Sequence, residues 1–83
     1  MRLTLQTVRE RSRAIAGEYP GAVAIDGVAR SAGGSEYVEI LVTLTVPGRA
    51  DRQVMLDLPR TDGAAFEREL RRRLTRLVGA RSR

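Results

Sequence analysis

Between positions 68 and 76 the chain places five arginines, Arg68, Arg71, Arg72, Arg73 and Arg76. On a helix, Arg68, Arg72 and Arg76 recur at i, i+4 and i+8 and form one ridge, with Arg71 and Arg73 on its flanks. Guanidinium groups make forked hydrogen bonds to phosphate oxygens and displace condensed counterions. Such a ridge suits a nucleic acid or another acidic partner, such as an acidic protein. The competing reading is a solvated helix face. Glu67–Arg71 and Glu69–Arg73 are i, i+4 pairs in the favourable orientation, and such pairs stabilise a helix by tenths of a kcal/mol without any ligand. All fifteen cations are arginine, which coding bias alone would also produce.

Other candidates are sparser. Asp26, Glu39 and Asp57 fall where they would share the open face of a sheet, either as a carboxylate cluster or as separately solvated acids. Tyr37, Leu41 and Met55 would lie on that same face as an apolar patch, the surface a homodimer or an adaptor would use. Gly33-Gly34 would let a ligand approach the backbone, although a hairpin loop also needs glycine for positive φ.

The missing residue types exclude more chemistry. Among 83 residues there is no cysteine, histidine, tryptophan or lysine. Without Cys or His, a zinc site of the ordinary kind, a disulfide framework, a thiol nucleophile and an imidazole base are all excluded. Without Lys there is neither a Schiff base nor a phosphate-loop lysine. The expectation is a non-catalytic protein with no metal and no cofactor. With 42% hydrophobic and 30% charged residues the composition is that of a folded domain, and the length that of one domain, 1–83. Residues 1–8 are too short and polar for a signal peptide, and the longest apolar-rich run, Val38 to Val46, is strand-length. A cytoplasmic protein without a membrane partner is expected.

The elements that must position these residues can be read in order. Thr7 and Glu10 match a capping box, and a helix is expected from about Val8 to Glu18 with Val8, Ile15 and Tyr19 on its apolar stripe. Residues 1–6 read equally as a short edge strand or as an earlier helix start at Thr4 that brings Leu5 into the stripe. Pro20-Gly21 ends this helix. A strand from Ala22 to Arg30 follows, with a bulge at Gly27 that lets Val28 turn inward. From Tyr37 to Val46 every even position is aliphatic, the alternation of a strand buried on one face, and Val54, Leu56 and Leu58 repeat it over Gln53 to Leu58.

Side chains on paired strands must share a face, which constrains the register. Pairing Ile25 with Val42 and Val23 with Leu44 leaves Ser31–Glu36 as the first hairpin loop. Pairing Val46 with Arg52 across a five-residue loop sets Leu44 beside Val54, Val42 beside Leu56 and Ile40 beside Leu58. Thr61 or Asp62 caps a last helix whose stripe is Phe66, Leu70, Leu74 and Leu77. Gly79 is its expected stop, leaving 79–83 as a frayed basic tail. The predicted architecture is α+β, a two-layer sandwich in the order α-β-β-β-α, with a three-stranded antiparallel meander and both helices on one face.

That order resembles the double-stranded RNA-binding domain, which also lays two helices on one face of a three-stranded antiparallel sheet. The resemblance spans nearly the whole chain in element order and implies the same layering. The motifs depart from it. That family places a lysine cluster at the start of its last helix, whereas Thr61 to Glu67 is acidic and has no cation until Arg68. The loop Ser31-Ala32-Gly33-Gly34-Ser35 also lacks that family's proline and histidine.

Charge is unevenly divided. Residues 1–18 carry four Arg and two Glu, 19–62 four Arg and six acids, and 63–83 seven Arg and two Glu. The excess positive charge therefore belongs to the helices and tail, and a basic helical layer should back onto a neutral to acidic sheet. Two functions follow: a small binding module holding nucleic acid or another acidic macromolecule on its helical face, or a homo-oligomeric structural or adaptor protein using its open sheet face.

Overall fold

Thr4 begins the first helix. In the computed structural model, which describes residues 2–81 and side-chain environments as far as Gly79, α1 spans Leu5–Ala16. The Thr4 hydroxyl accepts from the Thr7 amide at 3.1 Å and donates to the Thr7 hydroxyl, so one side chain satisfies an orphan amide of the first turn. The capping box at Thr7 and Glu10 is therefore not the helix start. An earlier start brings Leu5 into the apolar stripe, where it packs against the core. No edge strand forms over residues 2–6, because Leu3 makes a single backbone bond, from its amide to the Arg60 carbonyl, before the helix begins. The helix ends at Ala16, short of Glu18. There the Glu18 and Tyr19 amides turn to the carbonyls three residues back, Ile15 and Ala16, the tightening that closes a helix.

The strands β1 (Val23–Arg30), β2 (Tyr37–Leu44) and β3 (Arg52–Pro59) form one antiparallel sheet in that order. Between β1 and β2 the register is as the aliphatic pattern requires, with Val23 opposite Leu44 and Ile25 opposite Val42. Ser31–Glu36 is the connecting loop. The ladder then shifts so that Gly27 meets Leu41, leaving Asp26 as the extra residue of a bulge and returning Val28 to the core side opposite Ile40.

The β2–β3 register differs from expectation by two residues. Leu44 faces Arg52, Val42 faces Val54, Ile40 faces Leu56 and Val38 faces Leu58. Contacts at the strand ends fix the choice, since a two-residue slip keeps every side chain on its face. The Val46 carbonyl accepts from the Arg49 amide at 3.1 Å across Pro47-Gly48, with Gly48 at φ 77°, the positive φ that a turn with proline in its second position needs from the third. Thr45 meanwhile donates its amide to Ala22. Thr45 and Val46 thus leave the β2–β3 ladder, and the loop spans Thr45–Asp51.

After β3, Asp62 caps α2 (Gly63–Arg81), its carboxylate accepting from the Ala64 amide at 3.0 Å. Gly79 does not stop this helix, because it stays helical and does not take the left-handed conformation a glycine terminator uses. The helix continues through Ala80 and Arg81, and the last two residues of the expected tail lie outside the described residues. Val8 and Ile15 of α1 join Phe66, Leu70 and Leu74 of α2 in one cluster with Val38, Ile40, Val42, Leu44, Leu56 and Leu58. Both helices therefore cover the even-numbered side of β2, and the architecture is the expected two-layer sandwich. Ser12, also fully buried on α1, turns its hydroxyl back to the Val8 carbonyl at 2.6 Å and so brings no unpaired polar atom into the core.

Candidate functional site

The core stripe of α2 dictates where its arginines point. With Phe66, Leu70 and Leu74 fully buried, Arg68, Arg72 and Arg76 stand on the exposed side. Successive members are about 6 Å apart along the axis, so the ridge covers about 12 Å, the rise of three to four phosphates along one strand of a duplex.

The five arginines are not equivalent. Arg71 makes a two-pronged bond to Glu18, at 3.0 Å from Nε and 2.9 Å from Nη2. It ties α2 to the turn that follows α1. Glu67, expected to pair with Arg71, instead accepts from Arg11 of α1 at 2.8 Å. Gly63 makes room for this pair, since a Cβ there would lie 2.6 Å from the Arg11 Nη1. Near Arg71 the Tyr19 hydroxyl bonds Thr75 at 2.8 Å, closing the same seam. The expected Glu69–Arg73 pair does form, at 3.0 Å, and Arg72 joins it with bonds of 3.1 and 2.6 Å to the same carboxylate. Arg68 and Arg76 make no ion pair among the described residues. Once Arg71 is set aside, Arg68, Arg72, Arg73 and Arg76 stand against the single carboxylate of Glu69.

Glu69 records that imbalance. Hydrogen bonds from Arg72 and then Arg73 hold its carboxyl at about 2, against an ordinary 4.5. A carboxyl depressed on folding contributes stability that is whole above its unfolded value and is lost as pH falls through its folded one. The acid limb of unfolding should therefore contain a Glu69 component between about pH 4.5 and 2. The expected result is a carbon-detected NMR titration with its Glu69 midpoint near 2 and a shallower acid limb for Glu69→Gln. A midpoint at 4.5 would show that Arg72 and Arg73 do not engage it. The small size expected of exposed pairs applies here, as all three groups reach water.

On the opposite side of the molecule the sheet is open. Leu41 faces Met55 across β2 and β3 and Gly27 across β1, and a shallow groove of about 220 Å³ lies over Gly27, Val28, Ala29, Glu39, Leu41 and Met55. Met55 is 55% exposed and Tyr37 43%. Tyr37 stands four residues along β2 from Leu41, about 13 Å away, opposite Pro59. The structure therefore joins two members of the expected patch and sets the third apart. The acids are likewise split. Glu39 and Asp57 are cross-strand neighbours, whereas bulged Asp26 accepts from Thr43 and Gln53. Among the described residues no group of three side chains could hold a metal ion, and no helix is long and apolar enough to cross a membrane.

Sequence reasoning missed Glu18 and Arg11 as partners of the ridge helix, since they lie 53 and 56 residues from Arg71 and Glu67 and no local periodicity links them. Family models, curated proteins and solved structures show no match to this chain.

Proposed function

We propose that this protein is a small non-catalytic, cytoplasmic binding module that holds nucleic acid against the outward face of α2. One observation carries the reading: Arg68, Arg72, Arg73 and Arg76 share that face with a single carboxylate, Glu69. A surplus of guanidinium groups on a rigid helix gains most from a polyanion whose counterions it releases. The contacts expected of the ridge are to phosphate oxygens, which position a duplex without reading its sequence. Fluorescence anisotropy with labelled duplexes of two unrelated sequences tests this. The expected result is equal affinity for both, falling with salt at a log–log slope of about −3, from three to four phosphates at about 0.9 each. Absence of binding at low salt, or affinity indifferent to salt, rejects it.

The exposure of Met55 beside Leu41 supports a second reading, a homodimer formed through the open sheet face. On that reading Leu41→Asp converts a dimer into a monomer in light scattering. A wild type that stays monomeric at high concentration defeats it.

A further inference from the structure

Arg60 follows β3 directly and is only 8% exposed. Its backbone donates to the Glu36 carbonyl at 2.9 Å and accepts from Leu3 at 2.8 Å. Its Nε donates to the Ser35 carbonyl at 2.9 Å and its Nη1 reaches the Leu3 carbonyl at 3.5 Å. One residue thus clamps the N-terminal segment and the first hairpin loop to the end of the sheet. The partners of its guanidinium are neutral carbonyls, so among the described residues a nearly buried cation has no counter-charge, an arrangement that is costly without an anion. Its Nη2 makes no hydrogen bond among the described residues.

That guanidinium borders a cleft of about 340 Å³ whose other walls are Arg2, Arg30, Ser31, Ala32, Gly34 and Ser35. Among the described residues no carboxylate lines it, although Glu39 accepts from the Ala32 amide at 3.5 Å behind the loop, and neither Arg2, Arg30 nor Arg60 enters an ion pair. The contrast with α2 is sharp, since three of the five arginines there are paired. Gly34, at φ 131° and with nothing within 4 Å of a would-be Cβ, leaves the wall open. The Ser31 hydroxyl accepts from the Gly33 amide at 3.0 Å and keeps its own hydrogen for a ligand.

We propose that this cleft binds a phosphomonoester. Its lining brings together the guanidinium forks of Arg2 and Arg30, the remaining Nη2 of Arg60 and two hydroxyls, from the N-terminal segment, the end of β1, the hairpin loop and the end of β3. A dianionic phosphoryl group with three acceptor oxygens matches that set, whereas a monoanionic carboxylate leaves most of the charge unanswered. The volume is at the small end of ligand sites and holds a phosphate with a modest organic remainder. That remainder belongs either to a free small molecule or to the terminal nucleotide of a strand. The site is separate from the α2 ridge, and its test is independent of the nucleic-acid reading.

The test is an amide and arginine Nε NMR titration of the full chain with inorganic phosphate and with ribose 5-phosphate, against sodium chloride at matched ionic strength. Saturable shifts at Ser31–Ser35 and at the Arg60 Nε are expected. Arg2→Gln with Arg30→Gln should weaken binding about tenfold or more, since two charge-assisted contacts are lost, with an unchanged melting curve because both side chains are exposed. Arg68→Glu with Arg76→Glu should leave it intact. Arg60 itself is not substituted, since its loss would release the loop. A short oligonucleotide with and without a 5′-phosphate distinguishes the sources. Tighter binding of the phosphorylated strand than of ribose 5-phosphate assigns the cleft to a chain end, and equal binding assigns it to a small phosphorylated molecule. Shifts that stay linear in phosphate, or are confined to α2, or survive Arg2→Gln with Arg30→Gln undiminished, overturn the proposal.

Discussion

Replacing Arg68 and Arg76 together by glutamate is expected to weaken nucleic-acid binding at least about a hundredfold near physiological salt while leaving the fold intact. These two are chosen because both are exposed and neither makes an ion pair among the described residues. The net charge drops from +5 to +1, and the loss of two phosphate contacts should reduce the magnitude of the log–log salt slope by about 1.8. Stability should move by less than about 0.5 kcal/mol, since a glutamate at 68 lies four residues before Arg72 in the favourable orientation. Arg71 is a poor target by comparison, because its guanidinium already belongs to Glu18. Anisotropy titrations beside a thermal melt measured by circular dichroism report both quantities. A folded double variant with undiminished affinity would remove α2 as the interface, whatever the wild type binds.

The largest expected effect on stability is that of Phe66→Ala. Phe66 is fully buried in the first turn and a half of α2, where it joins the aliphatic face of the sheet and the stripe of α1. Removing a buried aromatic ring costs about 3–5 kcal/mol through lost transfer energy and the cavity left behind. A domain of 83 residues has a total stability of only about 4–12 kcal/mol, so the variant should lose a large part of its denaturant midpoint or fail to fold at 37 °C. Leu77→Ala, at a partly buried position nearer the end of the same stripe, should cost much less and serves as the internal comparison. Equal, small losses for both would mean that α2 is not seated on the sheet, and the outward direction of Arg68, Arg72 and Arg76 would lose its basis.

How far the architecture could be read from residues alone depended on periodicity. The even-numbered aliphatics of β2 and the Phe66, Leu70, Leu74 spacing of α2 each define one buried face, and a helix stripe and a sheet face of that kind have few ways to be covered. A bulge beside Gly27 was legible because only an extra residue brings Val28 back to the side of Ile25, while the structure makes Asp26, one residue earlier than expected, the unpaired one. The start of α1 was only half legible, since Thr4 and Thr7 are both acceptable caps and the choice turns on whether Leu5 finds a core to join.

The ridge itself was legible as a pattern, and its electrostatics were not. Periodicity places Glu67 and Arg71 within reach of each other, yet Glu67 reaches across to Arg11 of α1 and Arg71 to Glu18 in the turn after it, because a helix flank facing a neighbour offers longer-range partners at no greater cost in side-chain order. Likewise the assembly of Arg2, Arg30 and Arg60 around one cleft joins residues that belong to three separate segments, and no window on the chain contains them.

By itself the sequence determined the number, kind and buried faces of the elements, the segregation of excess positive charge onto the helices, and the absence of the side chains that most catalytic and metal sites require. Tertiary structure alone decided the β2–β3 register, the partner of each charged group and the clamp made by Arg60. The physical reason is common to all three. Burial has a period, so it is written along the chain, but a two-residue slip preserves every face. Ion pairs and clefts depend on distances between segments far apart in sequence, and those exist only once the hydrophobic layers have closed.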